Sequence, residues 1–173
     1  LDDWRGNFAD IYETKQVPER ASIYVCNPTK TDQSLAPAGH ETVFILVPLP
    51  AGVSLDDTAE EKLVDRVIGM LADMADAPDI AERIVSRKTH GPEYFKDMYN
   101  AWQSNAFGGE SHLLFQSVVF RTSNKSRKVK NLYYVGAGTL PGIGLPMCLI
   151  GAQMTYKQIV GSKRAGPLDK DLL

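Results

Sequence analysis

Four glycines, Gly136, Gly138, Gly142 and Gly144, crowd the stretch that joins Asn131-Leu-Tyr-Tyr-Val135 to Leu145-Pro146. A glycine has no Cβ, so a bound group can come directly against the backbone. Pro146 then marks a helix start, because proline is favoured in the first helical turn. A helix start presents unpaired amide hydrogens and a partial positive charge to whatever lies in front of it. A pyrophosphate suits such a place, and so does the electron-rich carbonyl edge of a flavin. On spacing alone the loop also reads as a plain turn, which is what most glycine-rich loops are.

Little else in the chain has the types and spacing for chemistry. His40, His90 and His112 are isolated and not at metal-ligand spacing, so each reads first as a surface or structural residue. His112, beside Gly108-Gly109, is the first of the three to test for a catalytic role. Cys26 and Cys148 are single and far apart, without CxxC or zinc spacing, which predicts reduced thiols and no metal site.

The elements that must hold the glycine loop follow from pattern. Asn131–Val135 reads as a strand entering the loop, and a helix is expected from Leu145 to about Val160, closed by Gly161. Upstream, Ser22–Cys26 and Thr42–Val47 read as adjacent antiparallel strands, the second an apolar run to be buried on both faces. Leu63, Val64, Val67, Ile68, Leu71 and Met74 recur at helical spacing and predict a helix over 57–75. A Thr58/Glu61 capping box opens it, and Ala77-Pro78 ends it. Ile80–Arg83 is a short helical turn, Ile84–Lys88 a third strand, and a second helix opens at Pro92 and runs to about Trp102. Asn105–Glu110 is a loop, Leu113–Phe120 an apolar stretch, Asn124–Lys130 a polar basic one, and Ala165–Leu173 a frayed tail.

Composition bounds what this can be. At 173 residues and 43% hydrophobic, the chain can build one core or parts of two. Nineteen basic against twenty-one acidic side chains leave a net charge of −2, which argues against a nucleic-acid binder. No apolar stretch reaches the roughly 18–20 residues of a spanning helix. The opening residues Leu1-Asp-Asp-Trp4 lack the basic n-region of a signal peptide, and the chain does not begin with Met; the expectation is a cytoplasmic protein of which this is a part.

Asn131-Leu-Tyr-Tyr-Val-Gly-Ala-Gly-Thr-Leu-Pro-Gly-Ile-Gly-Leu-Pro146 resembles the C-terminal flavin signature of the phytoene desaturases, NLYLVGAGTHPGxGxPG. Ser22–Asp32, Leu35–His40, Phe44–Pro48, Asn100–Phe107 and Phe115–Arg121 are similar to further blocks of that family, in the same order. The resemblance implies an α+β chain. Residues 1–121 would contribute a mixed or antiparallel sheet with packed helices to the substrate domain, 122–130 a basic linker, and 131–173 the closing strand–loop–helix of a Rossmann-like FAD domain. The GxGxxG nucleotide half of that domain would lie in a missing N-terminal region, so this chain by itself is expected to purify without flavin and to be inactive.

The implied activity is carotene desaturation, with hydride leaving an allylic carbon for flavin N5. A related diapocarotenoid desaturase, carotenoid isomerase or ketolase is the near alternative, and a lipid-binding module without redox chemistry the distant one. Residue by residue, Gly136, Ala137 and Gly138 match positions beside the FAD ribityl and phosphate; Gly144, Leu145, Pro146 and Met147 match the helix start facing the isoalloxazine. Two positions depart from the pattern: Leu140 stands where the family usually has His, and Met147-Cys148 where Gly-Val is common. Trp102, Phe107, Leu113, Leu114 and Phe115 would line a polyene channel or else pack an ordinary core. Lys125, Arg127, Lys128 and Lys130 form either a solvated loop or a contact for an anionic membrane surface, from which a carotene must come.

Overall fold

The computed structural model describes residues 3–106, 115 and 120–168. The chain divides into two compact units, Leu1–Ser104 and Asn105–Leu173.

In the first unit, helix α1, Trp4–Ala9, begins where the Asp3 side chain accepts the Gly6 amide at 2.9 Å. It widens into a π turn, Asp10–Thr14, and stops at Lys15 in the left-handed region. Asn7 is buried and uses both ends of its amide on one residue. Its Oδ1 accepts the Ser22 amide at 2.9 Å, and its Nδ2 donates to Ser22 Oγ at 3.3 Å. This pair fixes α1 to the approach of strand β1, Tyr24–Cys26.

β1 pairs antiparallel with β2, Phe44–Leu46, with Tyr24 opposite Leu46. The excursion between them closes on Thr29, whose hydroxyl donates to the Glu41 carboxylate and accepts the Thr42 amide at 3.3 Å. The adjacency and direction match the sequence expectation; the burial does not. Phe44 and Leu46 are exposed, not covered on both faces. A run buried on both sides needs a layer against each, and the sheet has two strands among the described residues.

Helix α2 spans Asp57–Ala75, the range its periodicity predicts. Leu63 and Val67 are buried, while Met74, assigned to the same stripe, is 68% exposed one residue before the end. The cap is also different from the expected Thr58/Glu61 box: Asp56, in extended backbone, accepts the Ala59 amide at 2.7 Å. Thr58 is already inside the helix, where its side chain cannot cap. Arg66 reaches out of α2 to the carbonyls of Pro18 and Glu19 at 3.1 and 2.8 Å. Ile11, Ala21, Leu63 and Val67 form the unit's buried apolar core.

Beyond α2, residues 77–84 wind through successive tight turns, with the Ile80 amide on the Ala77 carbonyl and the Arg83 amide on that of Ile80. Ile84–Lys88 is not a strand; Val85 is 79% exposed, and a strand exists only where a neighbour supplies a ladder. Helix α3, Pro92–Tyr99, stops three residues short of Trp102, because Asn100 turns into the left-handed region that ends helices. Trp102–Ser104 is a separate 3₁₀ turn.

In the second unit, helix α4 covers Leu145–Val160, and Gly161 follows it with φ 71°, as the sequence predicts. The expected strand Asn131–Val135 is absent. The segment carries one antiparallel bridge, Lys125 to Tyr133, and a second, parallel bridge joins Thr122 to Thr139. Two isolated bridges do not make a ladder. The tail expected to fray instead folds back on α4 as far as Leu168, whose amide donates to Gln153 Oε1 at 3.0 Å. Of the Leu113–Phe120 stretch only Phe115 and Phe120 are described, and Phe107, His112, Leu113 and Leu114 lie outside the described residues.

Among the described residues, four α-helices and a two-stranded antiparallel sheet make an α+β arrangement. Among the described residues no helix is long and apolar enough to cross a membrane, and none of their His, Cys, Asp and Glu side chains gather as a metal site. Cys26 and Cys148 are free thiols.

Candidate functional site

The glycine loop is held from below by the segment that precedes it. The Tyr134 amide donates to the Asn124 carbonyl at 2.8 Å, and the Leu140 amide to the Thr122 carbonyl at 3.1 Å. Between these two ties the Asn124 side chain is fully buried. Its Nδ2 lies 2.9 Å from the Leu140 carbonyl, 3.1 Å from Thr139 Oγ1 and 3.3 Å from the Tyr134 carbonyl. Two hydrogens thus serve three acceptors on both limbs of the loop. The Asn124 Oδ1 is buried with no partner among the described residues. Turning the amide over would put that oxygen against two carbonyls, so the orientation is set by the acceptors.

Thr139 tightens the same turn, its amide and hydroxyl both donating to the Gly136 carbonyl, at 3.1 and 2.9 Å. On the other side α4 comes in close. A Cβ at Gly151 would lie 3.2 Å from the Leu140 carbonyl oxygen, so the helix approaches the cis Leu140–Pro141 peptide through a glycine. Arg121 crosses the loop: its Nη1 donates to the Ala137 carbonyl at 2.6 Å, and its Nε would lie 3.2 Å from a Cβ at Gly142. Gly142 has φ 133°, a conformation essentially confined to glycine.

The upper side is open. Among the described residues, no atom beyond the chain neighbours comes within 4 Å of a Cβ placed on Gly136 or Gly138. Gly144, with φ 108°, caps α4 without any side-chain hydrogen bond, and Pro146 sits in the first turn. No side chain among the described residues therefore caps the first amides of α4. Leu145 and Leu149, on the same helix, are 85% and 68% exposed. Charge favours an electron-rich guest as well: residues 120–168 include eight Lys and Arg and no Asp or Glu.

The seven residues predicted for a cofactor thus occupy one loop and the helix start that follows it, Gly136, Ala137 and Gly138 on the first and Gly144, Leu145, Pro146 and Met147 on the second. The other candidates are described each within its own unit. Trp102 is 68% exposed at the end of the first unit, and Phe115, 76% exposed, lies edge-on to the Phe120 ring at 5.5 Å. His40 and His90 are exposed, the latter against Tyr94 at 3.9 Å. Lys125, Arg127, Lys128 and Lys130 are all exposed. An open recess of about 380 Å³ beside α2, lined by Asp65, Ile68 and Arg87 among others, contains none of the predicted residues; Arg87 there pairs with Glu61 at 2.5 Å.

Sequence reasoning missed the two side chains that shape the loop. Arg121 is the last residue of the family-like block Phe115–Arg121, and Asn124 the first of a polar stretch. The usable signal was the absence of any acidic residue to partner Arg121 over the next forty-seven positions.

Comparison with known proteins adds an independent line. The chain is 37% identical over 158 residues to a carotenoid 3,4-desaturase of Haloarcula japonica, covering 91% of this chain and 32% of that protein. It is 37% identical over 161 residues to a zeta-carotene-forming phytoene desaturase of Myxococcus xanthus, covering 91% and 31%. A 4,4'-diapophytoene desaturase of Staphylococcus aureus is 36% identical over 165 residues, covering 92% and 32%. No family model matches. The chain therefore spans about a third of the length of the curated relatives it matches.

Proposed function

Because this chain belongs to the phytoene desaturase family, we propose that its glycine loop and the start of α4 form one wall of the FAD site of a carotenoid desaturase. The observation that carries this reading is the uncapped start of α4 behind Gly144, next to two glycines with open space over their Cα atoms. These residues fit a flavin nucleotide. Gly136, Ala137 and Gly138 would lie along its phosphate and ribityl chain, and Gly144, Leu145, Pro146 and Met147 would face the ring. Bound flavin would supply the two-electron acceptor, taking hydride from an allylic carbon as a C–C single bond becomes double.

The protein's share is binding, orientation and exclusion of water. First-turn amides of α4 stabilise an electron-rich edge placed before them, because their dipoles are fixed and need no reorganisation. A carotene offers nothing to hydrogen-bond, so its affinity comes from apolar burial at roughly 25 cal/mol per Å². Trp102, Phe107, Leu113 and Phe115 are the channel candidates, and His112 the proton acceptor to test. Lys125, Arg127, Lys128 and Lys130 would rest against anionic lipid, which holds the substrate. The remaining wall of the flavin site would come from the region that the relatives have beyond this match.

The test is the visible spectrum of the full-length protein. It is expected to purify with a flavin absorbance, and a Gly144→Val variant to purify without it. A full-length wild type that neither carries nor takes up FAD overturns the reading. For the lipid contact, neutralising the four basic residues should reduce co-sedimentation with anionic liposomes; unchanged sedimentation removes that part alone.

A further inference from the structure

We infer that Arg121 is a binding residue of this site, holding a negatively charged portion of the bound cofactor. The inference rests on the flavin reading above and names a residue that the signature of the loop does not contain.

Three observations converge on it. The guanidinium is half-buried and positioned, with one N–H committed to the Ala137 carbonyl at 2.6 Å. Its Nε passes so close to Gly142 that a Cβ there would sit at 3.2 Å, tighter than ordinary contact, so the loop is shaped around the arginine. Finally, no carboxylate pairs with it among the described residues, and residues 120–168 offer none to do so. A partly desolvated cation without a counter-charge is costly, and a protein that keeps one uses it for an anion from outside. Arginine suits the task better than lysine, since its planar fork can bond the loop carbonyl with one N–H and leave the others for oxygens of a guest.

Two parts of a flavin nucleotide share the required chemistry: the pyrophosphate, charged always, and the pyrimidine edge of the ring, which becomes electron-rich on reduction. The test uses the full-length protein and compares wild type with Arg121→Gln and Arg121→Lys. FAD affinity is titrated by flavin fluorescence at low and high salt, and the midpoint potential of the bound flavin is measured.

If Arg121 holds the pyrophosphate, R121Q weakens oxidised FAD by about tenfold to a hundredfold, the range of a charged hydrogen bond, and less so at high salt. If it holds the ring edge, oxidised affinity stays while the reduced form loses about that factor, and the potential falls. In either case R121K loses less than R121Q, because the charge remains although the fork is gone. Equal losses in R121Q and R121K would mean packing rather than charge, and that overturns the inference; so does a glutamine variant indistinguishable from wild type by both measurements. Should R121Q not fold, a lysine variant that loses the full factor is enough to overturn it. A wild type that binds no FAD overturns the flavin reading itself, whereas a wild type that binds it with R121Q unchanged removes only the role of Arg121.

Discussion

The two units of this chain are built on opposite plans. Residues 1–104 carry ten Lys and Arg against eighteen Asp and Glu, a net charge of −8, and residues 105–173 carry nine against three, a net charge of +6. The four buried apolar side chains of the described core, Ile11, Ala21, Leu63 and Val67, all belong to the first unit. The buried side chains of the second are polar: Asn124, Thr139 and Thr155. The first unit is thus held by apolar burial around α2. In the second, hydrogen bonds define the shape of a loop, and its longest helix leaves Leu145, Leu149, Ile150 and Ile159 exposed. Apolar burial is non-directional and stabilises, whereas buried hydrogen bonds are directional and specify geometry. The difference teaches where binding should be sensitive to mutation and where only stability should be.

Leu63→Ala is expected to have the largest effect on stability, about 2–3 kcal/mol, from lost burial and the cavity left behind. It should accelerate hydrogen exchange of the α2 amides in the full-length protein while leaving FAD affinity unchanged. A change in FAD affinity matching the loss of protection would erase the distinction between the units.

Asn124→Ala strands three loop acceptors at once and should cost about 1–3 kcal/mol locally. Unlike the Leu63 variant, it should reduce FAD affinity well beyond any shift in melting temperature. A comparison is Thr155→Val, which removes the hydroxyl bonds to the Gly151 carbonyl at 2.9 Å and to the Tyr134 carbonyl at 3.3 Å but leaves the three Asn124 Nδ2 bonds in place. If both variants lower FAD affinity in proportion to melting temperature, the Asn124 network is structural only.

Gly142→Ala forces a Cβ toward Arg121 in a backbone region that L residues rarely enter, at about 1–3 kcal/mol. Pairing it with a smaller side chain at 121 should recover only the steric part, since the backbone strain stays; full recovery in a melt would show that strain contributes nothing. In the first unit, Asp56→Ala removes the α2 cap for about 1 kcal/mol, read as faster exchange of the Ala59 amide.

The smallest effect belongs to acid. Thr29 foremost, then Asn27 and Lys30, hydrogen-bond the Glu41 carboxylate and hold its pKa below the usual carboxylate value. A depressed folded pKa adds stability above the unfolded pKa, and that contribution fades as pH falls through the folded one. Thr29→Val should therefore flatten the acid limb of the melting profile of the first unit, slightly, because Glu41 is solvent-exposed. An unchanged slope below the carboxylate range would discount the Thr29 bond.

Part of the site was legible in the sequence. The glycine spacing and the Pro146 position mark the loop and the start of α4, because glycine freedom and proline restriction are local properties. What escaped was the brace. Asn124 sits among Lys125, Arg127 and Lys128, so its neighbours announced a solvated loop, yet it is fully buried. Its partners lie ten to sixteen residues on, and no local rule connects them. The cap of α2 was misread for the opposite reason: Thr58 and Asp56 both satisfy the local pattern, and the backbone angle at Asp56 chose between them.

The chain's own residues determined two of its helices. α2 and α4 start and stop where apolar period, proline and glycine say they must, since each helical hydrogen bond closes within four residues. Strands were another matter: Ile84–Lys88 and Asn131–Val135 have the right residues and form no ladder, because a strand is completed by a neighbour that local sequence does not name. Tertiary structure alone decided that Arg121 would lie across the glycine loop and that Asn124 would tie its limbs together, since both depend on contacts between segments that only folding brings within reach.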